Sequence, residues 1–310
     1  MNWFTIALFA PALWALSNFI DKYLVERFVK QEGTVVTLLL YSTLFSMVVF
    51  PLIYIVNPSV LAVEPKDMWV LIGAGVIEVV SIGFYLRALF SNDASTALPF
   101  FQTIPVFSFF LGFLFLQETL ATNQLIAGAV IILGGMILAL EKGEKGTRLK
   151  ISLLALMLSA SFFFALYDTL FKLGAIETSF WTSVFWQHVG VCLSGAVIFL
   201  ARKRHRTEFI SSIKENGRRI FSLNVANEVI YAVGVMIFSY ALLLAPIAIV
   251  ATVNVYHPIF VFVVGLFLTL FFPHIIKESL EPRQVIIKIV AIAIIFAASV
   301  YLGSTTDIYS

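Results

Sequence analysis

The sequence predicts an all-α membrane protein: ten transmembrane helices, built as two inverted five-helix repeats around a central cavity. Three observations predict it. The 310 residues are 60% hydrophobic and only 12% charged, against about 45–50% and about 25% in soluble domains. Ten apolar segments are each long enough to cross a hydrocarbon core of roughly 30 Å. Finally, short words recur in the same order in both halves of the chain, and self-similarity of this kind marks a repeat.

The segments fall at 3–24, 34–56, 67–90, 94–116, 121–140, 150–172, 178–201, 219–242, 245–270 and 285–303. The first lacks a basic leader and a small-residue cleavage site, so it reads as a retained span. Most links are too short for anything but antiparallel neighbours. The longer polar links are Glu141–Lys150 and Arg202–Arg219. Of the 20 Lys and Arg, all but Lys66 and Lys172 fall on one side of this topology. The positive-inside rule then places both termini outside the cytoplasm. The expected location is the plasma membrane of a bacterium or archaeon. The polybasic cluster Arg202–Arg206 is an orientation signal with affinity for anionic lipid. Cys192 stands alone, which excludes an intramolecular disulfide.

The repeat is legible residue by residue. Residues 14–22 read WALSNFIDK and residues 164–172 read FALYDTLFK, an offset of 150. Pro105-Val106-Phe107 and Gly112 match Pro258-Ile259-Phe260 and Gly265; ETLATNQ at 118–124 matches ESLEPRQ at 278–284. Five is odd, so the two repeats, 1–141 and 150–304, enter the membrane upside down relative to each other. Inverted repeats mark transporters and put the solute site at their interface, near the midplane.

These residues resemble the drug/metabolite transporter superfamily, in particular its ten-helix EamA-type members. Ala88-Leu89, Ala94, Ala97, Pro105-Val106-Phe107, Glu118, Gln124, Gly128 and Gly135 carry the resemblance in the first repeat. Ala241-Leu242, Pro258-Ile259-Phe260, Glu278 and Gln284 carry it in the second, which departs at Lys288 and by extra residues near Pro273. The resemblance implies a basket-like bundle, a central cavity and alternating access. It also implies that the seventh span is peripheral, so Gln187 and His188 there are expected to be structural. The substrate is left open, since relatives carry amino acids, drugs, metabolites and sugars.

Ionisable residues at mid-span are costly and mark function by default. Glu78 lies mid-way along span three, and the offset of 150 lands on Glu228 at matching depth in span eight. The pair suits proton coupling or cation binding. Helical spacing places Gly75, Glu78, Ile82 and Tyr85 on one stripe, and Asn224, Glu228, Tyr231, Val235 and Phe238 on another. An acid beside a tyrosine suits a cation held by ring faces. The structural alternative is that each acid is protonated or paired, for example with His257 or Arg87, and merely joins helices. Trp14 and Asn18 of span one correspond to Phe164 and Asp168 of span six, and Tyr167 adds stacking surface. Asp168 has an alternative partner in Lys172, one turn on. Asp21 and Lys22 sit near a helix end and are placed outside the site. Gln102 in span four, and Asn254 and His257 in span nine, flank prolines that free carbonyls and permit kinks. Glu118 and Glu278 are expected to tie hairpins.

The expected solute path is therefore Trp14, Asn18, Glu78, Tyr85, Gln102, Tyr167, Asp168, Glu228, Tyr231, Asn254 and His257. Glu78 and Glu228 are the expected coupling groups. No phosphate-cradling loop, metal-ligand cluster or nucleophile motif occurs, so no enzyme activity, cofactor or metal is expected. The partners are a small-molecule solute, an amino acid, amine, drug-like compound or metabolite, and the lipid bilayer; no nucleic acid is expected. Two alternatives remain open: a lipid or lipid-headgroup flippase of the same fold, and a non-transporting scaffold.

Overall fold

Uniformly apolar segments without internal polar breaks fold as long helices, because only a helix satisfies every backbone group within one segment in lipid. In a computed structural model, which describes residues 3–28, 33–91, 97–139, 151–271 and parts of 286–301, the chain runs as α1 (Trp3–Phe28), α2 (Gly33–Val56), a 3-10 turn (Pro58–Leu61) and α3 (Pro65–Ser91). A second 3-10 segment (Leu98–Thr103) leads into α4 (Ile104–Leu116), followed by α5 (Thr122–Ala139), α6 (Ile151–Ala175), α7 (Phe180–Ala201) and α8 (Lys203–Leu242). Then come α9 (Ile247–Ala251), a third 3-10 segment (Thr252–Tyr256) and α10 (His257–Phe271). No strand occurs among the described residues.

Among the described residues, seven helical stretches are long and apolar enough to cross a membrane: 3–21, 35–56, 65–90, 151–175, 180–201, 222–242 and 247–268. The expected ten spans are met only in part. The fourth and fifth are shorter apolar helices, Phe100–Leu116 and Thr122–Gly134. The tenth, 285–303, lies largely outside the described residues. The link 202–219 is not a loop: from Lys203 it is helical and continuous with the eighth span in the 40-residue α8.

The breaks in spans four and nine have one cause. Pro105 and Pro258 have no N–H to give the residue four before them. The chain tightens instead: Ile104 N–H bonds the Phe101 carbonyl, and His257 N–H bonds the Asn254 carbonyl. Each proline is thus preceded by a turn of 3-10 helix, a tighter ladder that re-satisfies the freed carbonyl.

Helix α1 packs on α8 and α3 on α6; α3 and α2 both pack on α7, and α2 also meets α8. Helices α3 and α7 approach each other closely. A Cβ on Gly75 would lie 2.1 Å from the Gln187 carbonyl oxygen, and one on Gly190 would lie 2.1 Å from that of Ile72. Only glycine fits at either point, so the backbones touch there, as small residues permit in membrane helices. Two apolar clusters flank the interior. One joins α1, α5, α8, α9 and α10 around Ala7, Ile131, Leu242 and Val250; the other joins α3, α6, α7 and α8 around Leu71, Phe171 and Val184. Trp14 packs against both.

Candidate functional site

Between the two clusters the helices leave a cavity open to water centres over about 150 Å³, well above the roughly 10–15 Å³ that one water needs. It runs from Trp14, Tyr167 and His257 toward Asp21, Leu86 and Asn224, that is, toward the C-terminal ends of α1 and α3. Of the expected path residues, Trp14, Asn18, Tyr85, Tyr167, Asp168, Glu228, Tyr231, Asn254 and His257 line it.

Two expected members do not line it. Gln102 is fully buried beside the cavity residues Phe101 and Ile104, with its Oε1 unpartnered. Glu78 faces a second, smaller cavity of about 30 Å³ between α2, α3, α7 and α8. The stripe drawn through Gly75, Glu78, Ile82 and Tyr85 is therefore split: Gly75 meets α7, Glu78 the small cavity, and Tyr85 the main one. Glu228, Tyr231 and Ile82 border both cavities.

Glu78 is paired with neither His257 nor Arg87. Its Oε2 accepts a 2.7 Å bond from Gln187 Nε2, which also donates to the Tyr167 hydroxyl at 3.2 Å. The contact of Gly75 with the α7 backbone brings Gln187 this close. Gln187 therefore ties the two cavities together, a larger part than a peripheral structural residue would play. His188 bonds the Val184 carbonyl at 2.9 Å and borders the small cavity. Glu228 accepts a 2.6 Å bond from the Ser42 hydroxyl.

Asp21 belongs to the site from which it was excluded. It lines the main cavity and accepts a 2.7 Å bond from Asn227 Nδ2. Asn227, Ser42 and Ser239 were missed altogether. The repeat gives no signal for Asp21 or Asn227, because the positions 150 residues away are Phe171 and Ile77.

Three helices meet through Asn18. The Tyr85 hydroxyl lies 3.5 Å from Asn18 Oδ1, and Asn18 Nδ2 lies 2.9 Å from His257 Nε2. With Nδ2 donating, Nε2 is the acceptor, and the ring proton sits on Nδ1. Asp168 is only 6% exposed and has no hydrogen-bond partner among the described residues. Its alternative partner, Lys172, is engaged elsewhere.

Lys172 bonds Glu118 Oε1 and the Ala245 carbonyl, each at 2.6 Å, while Glu118 Oε2 accepts the Ile247 N–H at 2.7 Å. Helix α4 ends on Gln117 in the left-handed region, φ 55°, which folds Glu118 back against Gly112. The expected hairpin tie thus pins three segments: the α4–α5 link, the end of α6 and the α8–α9 link. The pin lies one helical turn beyond Asp168, past the end of the cavity opposite Asp21.

The bundle of long apolar helices around a polar interior defines an integral, multi-pass membrane protein. Residues 1–140 match the EamA-like transporter family, of the drug/metabolite transporter superfamily. No curated protein sequence matches the chain. A solved crystal structure, 14% identical, aligns over 96% of this chain and 93% of its own at TM-score 0.65. It is similar in fold along nearly the whole length, including the part after residue 140.

Proposed function

We propose that the chain is a secondary-active exporter of a small organic solute, working by alternating access between two inverted five-helix repeats, 1–141 and 150–304. The observation that carries this is the cavity at mid-bundle, which sets polar side chains in a largely apolar wall and is lined by positions that correspond at a fixed offset in the two halves of the chain. Trp14 and Phe164, Ser17 and Tyr167, Asn18 and Asp168, and Tyr85 and Val235 all line it, each pair 150 residues apart; Phe101 and Asn254, and Ile104 and His257, do so at an offset of 153. Helix packing supports the same symmetry. The contact of α1 with α8 has its counterpart in that of α6 with α3, and the contact of α2 with α8 in that of α7 with α3. Inverted repeats that exchange two such packings give the two access states.

Glu78 and Glu228 are the proposed coupling groups. Both border the small cavity, which has room for a hydrated proton or a small cation beside Ser46 and His188. Occupancy there reaches the main cavity through Gln187 and the Tyr167 hydroxyl. Such a carboxylate chain is the usual equipment of proton-coupled carriers.

Purified protein in proteoliposomes, loaded with a panel of labelled solutes and given or denied a pH gradient, tests both parts. The expected result is gradient-dependent accumulation that Glu78→Gln and Glu228→Gln abolish. Uptake unchanged by the gradient and by both substitutions removes the coupling role. Movement of fluorescent lipid in place of every soluble compound makes the protein a flippase.

A further inference from the structure

We propose that the main cavity binds a small organic monocation, an amine or quaternary ammonium whose charge docks on the Asp168 carboxylate and whose body stacks on the surrounding rings. The proposal rests on the cavity being the solute site.

The charges facing the cavity are of one sign. Asp21, Asp168 and Glu228 line it, and no Lys or Arg does so among the described residues. Arg87, the nearest Arg on α3, is exposed, and Lys172 is held by Glu118 and the Ala245 carbonyl. His257 accepts from Asn18 through Nε2. An anion entering this space meets three carboxylates and no cation.

The three acids are not equivalent. Asn227 donates to Asp21 and Ser42 to Glu228, at 2.7 and 2.6 Å. Asp168 alone has no hydrogen-bond donor among the described residues, although it is 94% buried by its 6% exposure. A carboxylate at this depth is stabilised by a positive partner, and the cavity is the space from which one can come. One unpartnered acid calls for one positive charge.

The rest of the lining suits the body of such a ligand. Trp14, Phe164, Tyr167, Tyr231 and Phe238 border the cavity around Asp168. Ring faces attract cations within about 6 Å. A zwitterionic amino acid fits poorly, because its carboxylate finds no free cationic donor. The Trp14 Nε1–H is turned toward α8, 2.7 Å from where a Cβ on Gly234 would stand.

Three probes of nearly equal size and different charge test this: 2-phenylethylamine, 2-phenylethanol and phenylacetate. Their binding to the purified full-length chain in nanodiscs is measured by titration calorimetry, for wild type and Asp168→Asn. The amine is expected to bind at least tenfold more tightly than the alcohol, with phenylacetate weakest, and Asp168→Asn brings the amine to the alcohol's level. If Asp168→Asn does not fold, the wild-type order decides alone. Equal affinity for amine and alcohol, preference for phenylacetate, or no binding of the amine overturns the proposal; so does an amine preference that survives in a folded Asp168→Asn. Amine binding without uptake into proteoliposomes supports the proposal and refutes transport instead.

Discussion

Lys172→Met removes the charge of the pin while keeping most of its length. The Lys172 and Glu118 side chains are 9% and 16% exposed, so the substitution leaves a largely buried carboxylate with the Ile247 N–H as its remaining partner. Breaking a buried ion pair from one side costs about 3–5 kcal/mol. If the pin exists only while the cavity is closed on the Lys172 side, that cost falls on this state alone. The equilibrium then moves roughly a hundredfold or more toward opening there, at 1.4 kcal/mol per factor of ten. A Ser239→Cys reporter in a Cys192→Ser background reads this out, since Ser239 lines the cavity. An impermeant maleimide applied from the Lys172 side should label it at least tenfold faster with Lys172→Met. Replacing both partners, Lys172→Met with Glu118→Met, should return much of the protection, because an apolar pair restores packing without a buried charge. Unchanged labelling together with a lower melting temperature would refute this dependence on the closed state and leave the pin a simple structural tie.

Two glycines one half-turn apart make a controlled comparison. Gly73→Ala meets nothing within 4 Å and should be neutral or stabilise by about 0.5–1 kcal/mol through helix propensity; Gly75→Ala forces the Gln187 carbonyl aside and should cost about 1–3 kcal/mol, both read by denaturant unfolding in mixed micelles. Asn18→Leu leaves His257 Nε2 and the Tyr85 hydroxyl without their partner and should cost about 1–3 kcal/mol by the same assay; a loss below 0.5 kcal/mol, an order-of-magnitude floor for a made hydrogen bond, would mean the three-helix link is not formed. Gly234→Ala presses on the Trp14 ring, 2.7 Å away at Nε1, and should quench or shift Trp14 emission relative to a Trp14→Phe control.

The helices were legible because lipid imposes one demand along a whole segment, and residues such as 35–56 answer it without a break. Hydropathy tracks burial in lipid rather than hydrogen bonding. It therefore began the eighth span at 219, although the basic residues before it belong to the same helix α8. The prolines at 105 and 258 announced a break but not its 3-10 form, which follows from how the next free N–H finds the abandoned carbonyl. In the site, the offset of 150 found positions that line the cavity from both halves of the chain, such as Asn18 and Asp168. It was blind to what only one of them has. Asp21 and Asn227 each face an apolar counterpart in the other repeat, yet they bond each other across α1 and α8. Asp21 was also judged by its neighbour Lys22 and its place near a helix end, whereas the cavity reaches down to that end.

The offset of 150 also says nothing of the partners each acid finds. Glu78 and Glu228 occupy matching positions, which suggested two acids sharing one central site. Their partners break the match. Glu228 is held by Ser42 and borders both cavities, while Glu78 is held by Gln187 and borders only the smaller one. The position equivalent to Gln187 in the first repeat is Thr37, which is too short to make the same bridge. So the two acids are inequivalent by construction: one touches the space assigned to the solute, and the other reaches it only through Gln187 and Tyr167. In the carrier proposed above, Glu228 would then meet the solute directly, while Glu78 would change its protonation or ion occupancy without contacting it.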